Sequence, residues 1–237
     1  MQRLKILFVS FWLLFLMSCG SNKAEFSSKP YTIFLVLAPI EDPNNATDTT
    51  QWDLASKVVG YVKKDLVLVG NSFQIKGICN KGQLSPIATT NYSDATLKSE
   101  AIIPRGQIED WLLNTRTDKC TDSPKTLASL INLVDSYLKN LKSSKSTEID
   151  NQVVLIVQAP WTGLDQKTLK ELQQEINKIK GNERISKVYL FGVTTNEIPN
   201  IFHELEPKAK VSSSNLDTGS ARNSIEQIRT LMAPKQQ

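Results

Sequence analysis

The chain reads as an α/β protein built on a mostly parallel sheet with helices on both faces. Three observations predict this. Residues 153–157, Val-Val-Leu-Ile-Val, form an unbroken aliphatic run between polar flanks, and Pro160 ends it. The run is too short for a helix and rich in β-branched residues, so it is a strand buried on both sides, as central parallel strands are. Two more apolar runs, 31–38 and 187–193, flank it in the chain. Segments with apolar residues at helical spacing lie between the three, and that alternation implies a parallel sheet wrapped by helices.

Each element follows from local pattern. Residues 31–38 are the first strand, stopped by Pro39. After a polar loop at 39–50, Thr49 or Thr50 can cap a helix over 51–66, with Trp52, Ala55, Val58, Val59, Val62 and Leu66 on one face. Gly70-Asn71 is a turn. In 72–79, Phe73, Ile75 and Gly77 alternate with Gln74, Lys76 and Ile78, which predicts a strand nearer the sheet edge. One short edge strand is expected between 80 and 105, at 87–90 or 97–103. A short helix over 107–115 carries Ile108, Trp111 and Leu112. Ser123-Pro124 opens a long helix with Leu127, Leu130, Ile131, Val134, Tyr137, Leu138 and Leu141 inward. Asp165 caps another helix, with Leu169, Leu172, Ile176 and Ile179 inward and Gly181 as its stop. Residues 186–193 form a strand, 197–205 a short helix or turn, and 208–212 a last short strand. A helix over 222–232 closes the domain, with Ile225, Ile228 and Leu231 inward.

Charge excludes little. The formal charge is +4, and removing Arg3 and Lys5 with the first 18 residues leaves +2. No lysine or arginine stripe marks a nucleic-acid partner. Residues 1–18 have the form of a leader: Arg3 and Lys5, then an apolar stretch over 6–17 too short to span a bilayer comfortably. Leu16-Met17-Ser18-Cys19-Gly20 resembles the lipobox of bacterial lipoproteins. In that family the Cys becomes the lipid-modified N-terminus. The resemblance implies a protein of the bacterial cell envelope, held to a membrane through Cys19. Residues 19–30 are small and polar, as a flexible tether is, and 31–233 are the folded domain. Cys79 and Cys120 remain as an even pair in an exported chain, which favours a disulfide over two unpaired thiols. It would close a loop of about 40 residues, worth on the order of 4 kcal/mol.

The element order over residues 30–232 resembles a von Willebrand factor type A domain. Leu68-Val69-Gly70-Asn71-Ser72-Phe73 is similar to the turn into that family's second strand, and residues 187–193 to its fifth. The resemblance implies a three-layer, doubly wound sheet of strand order 3-2-1-4-5-6 and a role in protein binding or scaffolding. The family's metal signature is missing. Its first strand runs into Asp-x-Ser-x-Ser, whereas this one runs into Ala38-Pro39-Ile40-Glu41-Asp42, and Gln158-Ala159-Pro160-Trp161 stands where a later Asp belongs. Apolar side chains do not ligate a hard cation, so neither a metal nor a cofactor is expected.

Ligands of open parallel sheets bind beyond the carboxyl ends of the strands, where strand order reverses. That point lies between the first and central strands. Its loops offer Glu41, Asp42, Asp48, Trp161 and Asp165 as a binding surface. Other motifs dissolve on inspection. His203 is a lone histidine beside two carboxylates with no nucleophile in reach of the sequence. Ser136-Tyr137-Leu138-Lys139 matches Ser-x-x-Lys but sits mid-helix, without a Lys-Thr-Gly triplet. Gly77 and Gly82 have phosphate-loop spacing, but Gln83-Leu84 replaces the Lys and hydroxyl residue that grip phosphate and magnesium. No catalytic residue emerges. The expectation is a lipid-anchored, non-enzymatic domain that binds an unidentified protein; the alternative is a small-ligand or substrate-binding lipoprotein.

Overall fold

The structure, a computed structural model, describes residues 27–37, 50–68, 70–79, 83–91, 105–117, 124–143, 152–158, 165–193, 197–206, 208–214 and 218–233. The elements in chain order are β1 (Tyr31–Leu37), α1 (Thr50–Asp65), β2 (Ser72–Cys79), β3 (Gln83–Asn91), α2 (Arg105–Thr117) and α3 (Pro124–Ser143). They continue with β4 (Gln152–Gln158), α4 (Gln166–Ile179), β5 (Ile185–Phe191), α5 (Glu197–His203), β6 (Lys210–Ser214) and α6 (Thr218–Met232).

The strands form one six-stranded sheet of order β3-β2-β1-β4-β5-β6. All neighbours pair in parallel except β3, which runs antiparallel beside β2. This is the doubly wound, von Willebrand factor A-like order that the element pattern implies. β1 and β4 lie side by side, with Phe34 opposite Leu155 and Leu35 opposite Ile156. Every residue of β1 is buried, because both faces of a central parallel strand are covered.

Side chains of successive strand residues point to opposite faces, and each face builds its own core. Phe34, Val36, Leu155, Val157 and Leu190 pack under α3, α4 and α5, through Val134, Leu172 and Phe202 among others. Ile33, Leu35, Ile156, Tyr189 and Phe191 pack under α1, α2 and α6, through Val58, Leu112 and Ile225 among others. One polar group inside links three elements. Thr32, 1% exposed, shares its hydroxyl with Ser72 (2.9 Å) and Tyr137 (2.6 Å), tying β1, β2 and α3 together.

Several bounds differ from the sequence expectation. β3 takes in 87–90 but runs from Gln83 to Asn91, longer than a short edge strand; the other option, 97–103, lies outside the described residues. Pro86 sits next to a break in register between Ile75 and Lys76 of β2. An edge strand with an irregularity is where a sheet accepts a residue without an N–H. β6 lies two residues later than 208–212, and α6 begins at Thr218 rather than 222. The leader 1–18, Cys19 and the tether up to residue 26 lie outside the described residues. So do Cys120 and the side chain of Cys79, and with them the expected disulfide.

The described N-terminal residues are docked. Ser28 N donates to the Met232 carbonyl at 2.7 Å, and Gln152 N donates to the Pro30 carbonyl at 3.0 Å. The chain therefore enters at the N-terminal edge of the sheet, against the last turn of α6. Among the described residues no helix is long and apolar enough to cross a membrane.

Candidate functional site

The switch point of the sheet is the gap between β1 and β4. Helices α1 and α2 pack against β1 from one face and α3 and α4 cover the other. At the carboxyl end of this pair, Leu37 stands opposite Gln158. The strand's aliphatic run thus ends in a carboxamide, and that carboxamide is fully buried. Its Nε2 donates to Gln51 Oε1 at 2.8 Å. Gln51 is in the first turn of α1, half-buried, so the two glutamines join the end of the central strand to the start of the first helix across 107 residues of chain. Burying an amide without a partner would cost about 1–3 kcal/mol, and this bond offsets part of that cost. Next to it Trp52 Nε1 donates to the Leu112 carbonyl at 2.9 Å and fixes α1 to α2.

Of the five residues expected to form the binding surface, one is described. Asp165 sits at this edge as the N-cap of α4, with extended backbone (φ −78°, ψ 157°), and its carboxylate accepts from Thr168 N at 2.7 Å. That hydrogen bond uses one of the orphan N–H groups of the helix start. Asp165 is exposed, with one carboxylate oxygen committed to the helix. Glu41, Asp42, Asp48 and Trp161 lie outside the described residues.

Gln51 and Gln158 were missed as site residues when the sequence was read alone. A polar residue closing an apolar run is ordinarily a solvated flank, and nothing in a linear chain shows that two such residues will meet. The donor chemistry at the floor of the switch point, between Gln51 and Gln158, is neutral. Two carboxamides bonded to each other leave weak, uncharged oxygens, whereas cation sites in proteins gather several oxygens with carboxylates among them. Among the described residues, no group of three or more His, Cys, Asp and Glu side chains could hold a metal ion. His203 lies far along the chain from this edge, exposed at the end of α5, with Nδ1 3.4 Å from Glu206 Oε1. Ser136 and Lys139 lie in mid-α3, where Lys139 Nζ meets Asp135 at 2.6 Å.

The groups whose titration is displaced sit elsewhere, on β1, on β5 and, for Glu183, which the hydrogen bond and charge of Lys208 lower, just before β5. Burial raises Tyr31, against a hydrogen bond from Ser28 that lowers it. Burial pushes Tyr189 up to about 12, partly offset by a hydrogen bond with Ser212. Burial lowers Lys187, and the charge of Lys210 on the next strand lowers it further.

The class these observations define is a doubly wound α/β domain whose switch point carries a buried neutral amide pair. No family model matches the chain. No curated protein matches it. Solved structures share its shape at low identity. A PilB minor pilin from Streptococcus sanguinis is 9% identical over 90% of this chain and 62% of its own, with a TM-score of 0.49. The manganese-loaded TRAP protein of Plasmodium vivax is 11% identical over 88% of this chain and 78% of its own, also at 0.49. Proximal thread matrix protein 1 of the mussel byssus is 11% identical over 88% of this chain and 49% of its own, at 0.45. The chain thus spans less than two thirds of the pilin and about half of the byssus protein. All three scores fall under 0.5, and the fold stands on the strand order and pairing themselves.

Proposed function

We propose that this chain is a lipid-anchored protein of the bacterial envelope whose domain binds another protein, without catalysis, at the carboxyl edge of β1 and β4. The observation that carries the reading is the Gln158–Gln51 pair. It closes the switch point with two neutral amides joined by a hydrogen bond. Such a floor suits contact with a protein surface better than it suits a hard cation or a charged reaction intermediate.

The path of the chain supports the same reading. Residues 27–30 leave from the opposite edge, beside Met232. An anchor on Cys19 would then leave the β1–β4 edge turned outward, toward partners. The experiment is a pull-down from envelope extract with the wild-type protein and with Glu41→Ala/Trp161→Ala. A partner recovered by the wild type and lost by the variant supports the surface. Equal recovery by both rules it out.

A further inference from the structure

The second feature of the molecule is the opposite edge of the sheet, where the strands begin. Parallel pairing brings the starts of β1, β2, β4, β5 and β6 to this edge. It also brings the last turn of α1, because a helix joining two parallel strands must carry the chain back. Six basic residues meet there without an ion pair among the described residues: Lys29 before β1, Lys63 and Lys64 in the last turn of α1, Arg184 and Lys187 at the start of β5, and Lys210 at the start of β6.

Three carboxylates described at this edge are already engaged. Asp65 faces Arg229 at 3.6 Å, Glu183 holds Lys208 at 2.6 Å and Glu204 holds Lys180 at 3.1 Å. Among the described residues the surplus charge at this edge is therefore positive. Its inner member is Lys187: it is 8% exposed, its Nζ rests 4.5 Å over the Tyr189 ring in an attractive cation–π contact, and the residue opposite it on β6 is another lysine, Lys210. Two cations in register repel each other, and an anion from outside would relieve that repulsion.

The same edge is where the tether begins. Cys19 precedes Ser27 by eight residues, a reach of about 28 Å at full extension. We propose that the N-terminal edge of the sheet is a docking face for anionic lipid head groups, deepening the anchored reading above and resting on it. The tether holds the domain near the bilayer. The basic rim then orients it, with Lys63, Lys64 and Lys210 toward the phosphates. The occupant is a membrane because the chain leaves toward its lipid from this edge and the surplus charge is complementary to that surface.

The full-length protein, purified from its membrane and reconstituted in vesicles, tests this. Intact mass reports whether Cys19 is acylated. Amine acylation rates are then read lysine by lysine in phosphatidylcholine vesicles and in vesicles containing roughly 30 mol% phosphatidylglycerol. The expected result is about fivefold slower modification of Lys63, Lys64 and Lys210 on the anionic vesicles, lost at about 0.5 M salt, where the field is screened. Lys57 and Lys170, exposed on α1 and α4, should not change. The variant Lys63→Glu/Lys64→Glu should lose the protection at Lys210. An acylated Cys19 with equal rates on both lipids overturns the docking face alone. An unmodified Cys19 overturns the anchor and the docking face with it.

Discussion

Replacing Gly77 by alanine should loosen the domain by an amount the structure bounds. Gly77 lies in β2, and the indole of Trp111 from α2 fills the space where its side chain would stand. A Cβ there would meet Trp111 Cζ2 at 2.0 Å, Cε2 at 2.3 Å and Cη2 at 2.7 Å. No pair of carbons tolerates such approach, and the obstacle is a rigid ring. Trp111 also packs against the cores on both sheet faces, and α2 is pinned through Trp52 and the Leu112 carbonyl, so the ring has little room to retreat. Overpacking of this kind costs about 1–3 kcal/mol. Alanine returns about 0.5–1 kcal/mol, because glycine in a strand loses more entropy on folding. The net loss is about 1–2 kcal/mol, or roughly 3–6 °C in Tm for a domain of this size. The assay is a double-mutant cycle by urea denaturation with Gly77→Ala, Trp111→Ala and the pair. In the Trp111→Ala background the clash is gone, so Gly77→Ala should cost nothing or stabilise slightly. The coupling energy should be about 2 kcal/mol. Equal losses from Gly77→Ala in both backgrounds would refute the argument.

Three further outcomes follow from the same structure. Asp165→Ala removes the cap of α4 and should lower stability by about 1 kcal/mol, while Asp165→Asn keeps most of it; thermal melts of the two variants side by side decide. Gln158→Glu places a carboxylate in a fully buried position facing Gln51 Oε1 and should cost about 2–3 kcal/mol at pH 7. Burial raises that carboxyl in the folded state, so the deficit should shrink as pH falls toward the unfolded value of about 4.3, and a deficit independent of pH from 7 to 5 would count against a buried charge. Tyr189 is held up at about 12 when folded, against about 10 when unfolded. Between those values the folded state keeps a proton the unfolded state has lost, so stability falls as pH rises through the window. Tyr189→Phe should flatten that part of the alkaline denaturation curve.

How much of this could be read from the chain depends on where the driving force lies. Residues 153–157 announced a central strand because five aliphatic side chains in a row have no other low-energy place, and the register with β1 follows. The α3 and α4 stripes were equally plain, since Leu130, Val134, Leu138 and Leu169, Leu172, Ile176 recur at helical spacing. The start of α6 was not, because Thr218-Gly219-Ser220 carries no apolar stripe and is helical only because Ala221 and Ile225 behind it are buried. β6 was misplaced for a similar reason: Ser213 and Ser214 are poor strand formers, and their partners Leu190 and Phe191 on β5 extend the ladder to them. Gly77 looked like half of a discarded phosphate-loop spacing. Its reason is a slot for an indole 34 residues away, and contacts of that range leave no local trace.

The polarity of a parallel sheet gives the two functional proposals a common cause. All strands but β3 start at one edge and stop at the other, so whatever the chain places before its strands collects on one side and whatever follows them on the other. Here the starts are basic and carry the docked residues 27–30, while the central strand stops on an uncharged, buried glutamine. The edges lie about 23 Å apart for seven-residue strands, more than twice the Debye length of about 10 Å at 0.1 M salt. Contact between the rim and a lipid surface must weaken with every increase in ionic strength, as must any contact made through the carboxylates proposed at the other edge, Glu41, Asp42, Asp48 and Asp165. The two proposed surfaces thus carry charge of opposite sign on opposite edges of one sheet, so an anionic surface and a protein partner would be met by different ends of the domain.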